Sequence, residues 1–431
     1  MRDEKPEKQP KALKTTLGLW SATAINVGAI IGGGIFVVTG IVAGLAGSAF
    51  VVSMAIAAVI ALFTALSFAE LTTWQPVEGS GYEYVRRLVS PFAGFLSGWM
   101  WMISNTFGGA AVSLGFAYYL AAAFPGLPVG VVAAMVCLGF AGLNFVGIRQ
   151  SAMLNNVLVV VKLAVLGFFV VLGLTHVNSA NFLPFSPLSS GVLFGAYFIF
   201  FAFGGFARAT VIAEEVKDAK RNVPRAVLSS LAISTAVYIL VGVVAVGLVG
   251  SSSLASSNSP LTYAIGATGS SLAMQIVSFG GLVATASVLL TAVLGVSRMA
   301  FSMARRNDLP ESLRLLHAKF GTPYVSIWIV GFAMALLVLF VDLTGVVVVS
   351  TFALLFWYVL VNLSALKLKC EKRLCPRLLP ALGLCTCLVL LAVVFFVAPF
   401  AWTAGVACLL VGTVFYILTR TLRKRAQNTG R

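Results

Sequence analysis

The sequence predicts an all-α integral membrane protein of about twelve transmembrane helices. Three observations predict it. The 431 residues are 60% hydrophobic and only 10% charged, against about 25% charged in a soluble domain. The apolar residues gather in segments close to the roughly 20 residues that cross a bilayer. Outside the segments, the Lys and Arg residues fall in the termini and alternate connections only. Barrel strands would be shorter and alternating, so helices are the structure that satisfies this much apolar backbone in lipid.

The twelve segments lie near 19–44, 48–72, 92–123, 128–147, 152–175, 190–213, 226–249, 270–304, 325–342, 345–366, 378–397 and 400–419. One set of connections holds Arg86, Arg87, Arg149, Lys217 through Arg225, Arg305 through Lys319, Lys367 through Arg377 and the tail from Arg420. The other set, near 45–47, 124–127, 176–189, 250–269, 343–344 and 398–399, holds neither Lys nor Arg. By the positive-inside rule the first set, and both termini, face the cytosol. Residues 1–16 read as a cytosolic tail, 77–90 as a short amphipathic helix at the interface, and the Ser-rich 250–260 as a flexible loop.

The net charge of +16 would suggest nucleic acid in a soluble protein. Here it follows from topology, and it favours contact with anionic lipid rather than nucleic acid. The six cysteines, with His176 and His317 far apart in sequence, make no metal or cofactor motif, and the cysteines read as free thiols or lipid-facing apolar residues. With no nucleophile motif, His cluster or membrane-embedded acid pair, no catalytic residue is assigned and the chain does not read as an enzyme. A channel would need a polar pore ring, and a receptor would need a signalling domain; neither is evident.

Two segments carry unusual glycines. The first contains Val27-Gly-Ala-Ile-Ile-Gly-Gly-Gly-Ile-Phe36. Each glycine inside a helix costs about 1 kcal/mol relative to Ala. Packing explains spaced glycines better than a consecutive run, which frees backbone groups that lipid cannot satisfy. The sixth contains Phe200-Phe-Ala-Phe-Gly-Gly-Phe206. Matching interruptions in corresponding segments of two halves point to a transporter binding site. Freed amides suit a carboxylate and freed carbonyls an ammonium, the two charges of an amino acid or another small zwitterion.

The third feature is Lys162, about 10 residues into the fifth segment and so roughly 15 Å deep. A charge there costs about 2.5–3.5 kcal/mol on insertion scales. No acid falls mid-membrane, so Lys162 is the candidate proton carrier. Arg208 and Arg298, in the inner halves of the sixth and eighth segments, read as interfacial anchors or as gate residues paired with acids such as Glu214 or Glu70.

These stretches, together with Ala213-Glu-Glu-Val-Lys-Asp-Ala-Lys-Arg-Asn-Val-Pro-Arg-Ala226 and Ser297-Arg-Met-Ala-Phe-Ser-Met-Ala-Arg-Arg-Asn-Asp-Leu-Pro310, resemble the amino acid–polyamine–organocation (APC) family over nearly the whole chain. The resemblance implies a LeuT-like 5+5 inverted repeat with helices one and six broken at the midplane. It implies a core over 17–366, with 367–431 forming helices eleven and twelve and a cytosolic tail. It implies substrate binding at Ile30, Ile31, Gly32, Gly33 and Gly34, and at Phe201, Ala202, Phe203 and Gly204. It also implies proton coupling at Lys162, with the Gly28 carbonyl and Ser287 as neighbours. Many members carry an acid soon after the Gly-Phe of helix six, where this chain has Ala207-Arg208, so a neutral substrate is favoured over a cationic one. The expected function is proton-coupled import of an amino acid across the plasma membrane by alternating access. The alternative is an amino-acid/amino-acid or amino-acid/amine exchanger. Oligomeric state is not readable.

Overall fold

The computed structural model describes residues 17–77, 79–146, 152–211, 213, 216–370 and 373–429. The tail expected over 1–16, and Glu78, Arg149, Glu214 and Glu215, lie outside the described residues.

Among the described residues the fold is helical, and nine stretches are long and apolar enough to cross a membrane. The first, Leu19–Trp74, contains α1 (Leu19–Ile30), a π-helical turn Gly34–Val38, α2 (Thr39–Ala46) and α3 (Phe50–Trp74). It is divided at Gly47, whose φ of 61° suits a residue without a Cβ. The amphipathic α4 (Ser80–Leu88) follows, then α5 (Pro91–Ala123), α6 (Val129–Val146), α7 (Ala152–Leu174), α8 (Ser190–Phe200), the four-residue α9 (Arg208–Val211) and α10 (Ala219–Val249).

The segment 250–260 differs from the flexible loop expected of its serines, and the helical path continues to 266. It forms α11 (Ser251–Ala255) and α12 (Pro260–Gly266), because Leu254, Leu261 and Ile265 are fully buried between the polar residues. The chain continues through α13 (Ser271–Arg305), α14 (Tyr324–Phe340), α15 (Leu343–Lys367), α16 (Leu378–Val397) and α17 (Pro399–Thr429).

Similar hydropathy leads to different burial. The apolar window in Leu343–Lys367 is 78% buried, whereas that in Pro399–Leu422 is 22% buried. Helix α17 turns Leu410, Val411 and Ile417 outward. An apolar helix with an apolar outer face has lipid as its solvent, and the chain is a multi-pass membrane protein. Helix α5 packs along α13 and α15, α3 along α10, and α6 along α14, which encloses α1, α2, α8 and α9.

At the basic end α4 is fastened to the rest of the molecule. Asp308 accepts from Arg86 and from the Tyr82 hydroxyl, both at 2.6 Å. Glu83 pairs with Arg306 at 2.9 Å and Arg87 at 3.2 Å. Burial and the Asp308 carboxylate push the Tyr82 phenol well above its usual range.

Candidate functional site

The helical path is interrupted twice, and the interruptions meet. Helix α1 ends at Ile30 because Ile31 is extended (φ −75°, ψ 92°), and Gly32 bends before the π-helical turn begins. Helix α8 tightens into a 3₁₀ turn over Phe201–Phe203 and then runs through a non-helical turn, Gly204–Ala207, before α9. The glycines permit a backbone crossing. A Cβ on Gly34 would lie 2.5 Å from the Ala202 Cα, and one on Gly205 would lie 2.5 Å from the Ile30 nitrogen. Neither neighbour is a side chain that can swing away.

Interrupting a helix strands carbonyls, and a buried carbonyl without a partner is costly. Here three side chains satisfy them. The Tyr238 hydroxyl of α10 donates to Ile30 O at 2.6 Å and Ala202 O at 3.0 Å, sharing one proton between the two interruptions. Tyr119 of α5 donates to Phe36 O at 2.6 Å, within the π-helical turn. Lys162 Nζ of α7 donates to Gly28 O at 3.0 Å, and the residue is 1% exposed. The Ser287 hydroxyl, expected beside Lys162, donates instead to Ala284 O of its own helix at 3.0 Å.

A cavity lies where the interruptions cross. Of the residues expected to bind substrate, Ile30, Gly33, Gly34, Phe201, Ala202 and Gly204 line it. Ile31, Gly32 and Phe203 do not. Ile31 is fully buried, Gly32 backs onto Val288, and Phe203 packs edge-on to Tyr238 with ring centres 5.2 Å apart. Lys162 and Gly28 lie outside the lining. The opposite wall comes from α5, α13 and α15, and includes Ser104, Asn105, Val288 and Ser350.

The two arginines separate. Arg298 is exposed, whereas Arg208 lines the cavity and donates to Asn105 Oδ1 at 2.7 Å. Glu214 is outside the described residues. Glu70, 2% exposed, pairs with Arg373 at 3.3 Å. The inner segments beside the cavity are joined to each other. Asn26 Oδ1 of α1 accepts from Ala209 N of α9 at 2.7 Å, and Lys217 N donates to Leu17 O at 2.8 Å.

Sequence reasoning did not single out Tyr238, Tyr119, Asn105 or Asn26. A tyrosine inside an apolar helix was the available signal, because a buried hydroxyl needs a partner.

A multi-pass helical protein with a cavity between two interrupted helices has the architecture of a membrane transporter. The sequence profile of the amino acid permease family matches residues 17–418, and the chain belongs to that family, within the APC group. An uncharacterised transporter of Mycobacterium tuberculosis is 35% identical over 98% of this chain and 96% of its own. The branched-chain amino acid permease BcaP of Bacillus subtilis is 30% identical over 95% of this chain and 93% of its own. The methylthioribose transporter of the same organism is 28% identical over 96% and 95%.

Proposed function

We propose that the chain imports amino acids by proton symport and alternating access, with substrate held between the two helix interruptions. The observation that carries this reading is the shared cavity, lined by Ile30, Gly33 and Gly34 on one side and Phe201, Ala202 and Gly204 on the other. The helix that begins at Gly34 has first-turn N–H groups without intrahelical acceptors, and these suit a carboxylate. The α1 terminus and the 3₁₀ turn offer carbonyls to an ammonium. BcaP, with a branched-chain amino acid in its name, supports this substrate class. No carboxylate lines the cavity among the described residues, which disfavours a cationic side chain and leaves neutral amino acids as the expected class.

Lys162 is the proposed proton site. Its amine touches Gly28 just before the first interruption, so losing the proton removes a charge-assisted contact to α1 and shifts the balance of conformations. Gly28 is then the coupling carbonyl. Ser287 enters the coupling site only in a state where its hydroxyl turns from Ala284.

The architecture proposed is twelve spans in a 5+5 inverted repeat. Leu19–Trp74 counts as two spans, and the shorter apolar helices Ser190–Phe203 and Tyr324–Phe340 complete the number. Its support is the pairing of corresponding members. Helices α3 with α10, α5 with α13, and α6 with α14 pack on one another, as elements beside a pseudo-twofold axis would. Residues 17–366 then form the core and 367–431 the peripheral helices and tail, with both termini cytosolic, lipid around the outer helices and the plasma membrane as the location.

A melting-temperature screen of the purified protein against the twenty amino acids tests the substrate class, since a ligand at 100 times its Kd stabilises by about 2.7 kcal/mol. A rise with methylthioribose and with no amino acid would overturn it.

A further inference from the structure

The cavity holds a cation that this function does not use. Arg208 directly follows the turn Gly204–Ala207 as the first residue of α9, and it lines the same cavity as Gly33, Ala202 and Gly204. Its guanidinium is fixed on several sides. One nitrogen donates to Asn105 Oδ1 at 2.7 Å. Asn105 is oriented to accept because its own Nδ2 donates to Trp101 O at 2.9 Å. The Arg208 Cζ lies 5.4 Å from the centre of the Trp101 ring. Another nitrogen rests against Gly295, where a Cβ would come within 2.7 Å of it. Glycine at 295 therefore leaves room for the guanidinium beside α13.

This arrangement places a permanent charge in the cavity without neutralising it. A guanidinium keeps its proton and carries five N–H donors. Asn105 is neutral and occupies one of them. None of the ion pairs among the described residues includes Arg208. The Ser104 and Ser350 hydroxyls lie on the same polar wall, with Ser350 donating to Ser104 O at 2.7 Å. The site is thus divided: backbone groups at the interruptions, and a cationic, hydroxyl-bearing wall beyond them.

The geometry points to Arg208, with Asn105 as its positioning residue, as a side-chain subsite for a carboxylate, so that the site takes acidic amino acids in preference to their uncharged isosteres. This inference rests on the proposed amino-acid site, keeps its exclusion of cationic side chains and replaces the neutral side-chain class with an acidic one. A carboxylate matches the guanidinium fork in charge and shape, and its charge offsets the cost of a half-buried cation that has no ion-pair partner among the described residues.

Glutamate and glutamine have nearly the same size and shape and differ in the charge of one end, so they form the test. Apparent affinities come from the rise in melting temperature of the purified full-length protein, with ionic strength held constant by a large organic salt. The expected result is at least tenfold tighter binding of L-glutamate than L-glutamine by the wild type. Arg208→Gln should bring the ratio to about one, and Arg208→Lys should leave it in between, because Lys keeps the charge and loses the fork. Equal affinity of the wild type for the two would overturn the subsite while leaving the amino-acid site standing. Failure of every amino acid to stabilise would remove both. Stabilisation by acetate or chloride alone, equal to that by glutamate, would assign the arginine to a free anion and also overturn the proposal. The wild-type comparison decides even if the variants do not fold.

Discussion

The two helix interruptions differ in the cation placed beside them. The first has Lys162, which reaches it from behind through the Gly28 carbonyl and stays out of the cavity. The second has Arg208, which enters the cavity and is fixed by Asn105 and Trp101. Lysine can release its proton within the range that proteins use, and arginine cannot. A buried lysine on a carbonyl just before the interruption therefore suits a reversible charge, and a half-buried arginine in the cavity suits a fixed one. In the proposed function, proton coupling belongs to the first interruption and side-chain selection to the second; the Tyr238 hydroxyl joins the two through Ile30 O and Ala202 O.

Lys162→Ala should break this comparison most severely. In proteoliposomes with an inward proton gradient, concentrative uptake should fall to equilibration, while stabilisation by the amino acid persists. Loss of that stabilisation as well would place Lys162 in the binding site and erase the distinction from Arg208. Next in size is Gly34→Ala, which drives a methyl group into the Ala202 backbone. It should cost about 1–3 kcal/mol, as overpacking does, and should abolish ligand stabilisation in melting experiments. Tyr238→Phe removes a hydroxyl that serves two carbonyls and should cost about 1–3 kcal/mol, whereas Tyr119→Phe frees one carbonyl and should cost less. Equal losses in the two phenylalanine variants, measured by denaturant unfolding, would mean that Tyr238 does not join the interruptions energetically. The smallest effect is expected at Gly139 of α6, where a Cβ meets nothing within 4 Å. Gly139→Ala should leave melting within about 1 kcal/mol of the wild type.

The apolar spans were legible because lipid imposes a length and a composition on each. The glycine runs were legible because a run is costly in any helix that does not need it. Lys162 was legible because a charge deep in an apolar segment has few bland explanations. Other features depend on tertiary contacts. Ile31, Gly32 and Phe203 share their motifs with cavity residues, and the turn geometry alone decides that they point elsewhere. Arg208 is near enough to the basic end of its segment to read as an anchor; its neighbours Asn105, Trp101 and Gly295 come from α5 and α13 and are distant in sequence. The serines of 250–260 concealed α11, which the buried Leu254 side chain anchors.

The proposed coupling requires that substrate at the interruptions and the proton at Lys162 move together. It is tested most directly by a pH-sensitive dye trapped inside proteoliposomes with no imposed pH gradient. Adding an amino acid that stabilises the protein should acidify the interior in step with its uptake, and Lys162→Ala should show no acidification. Uptake by the wild type at full rate with no proton movement would contradict the claim.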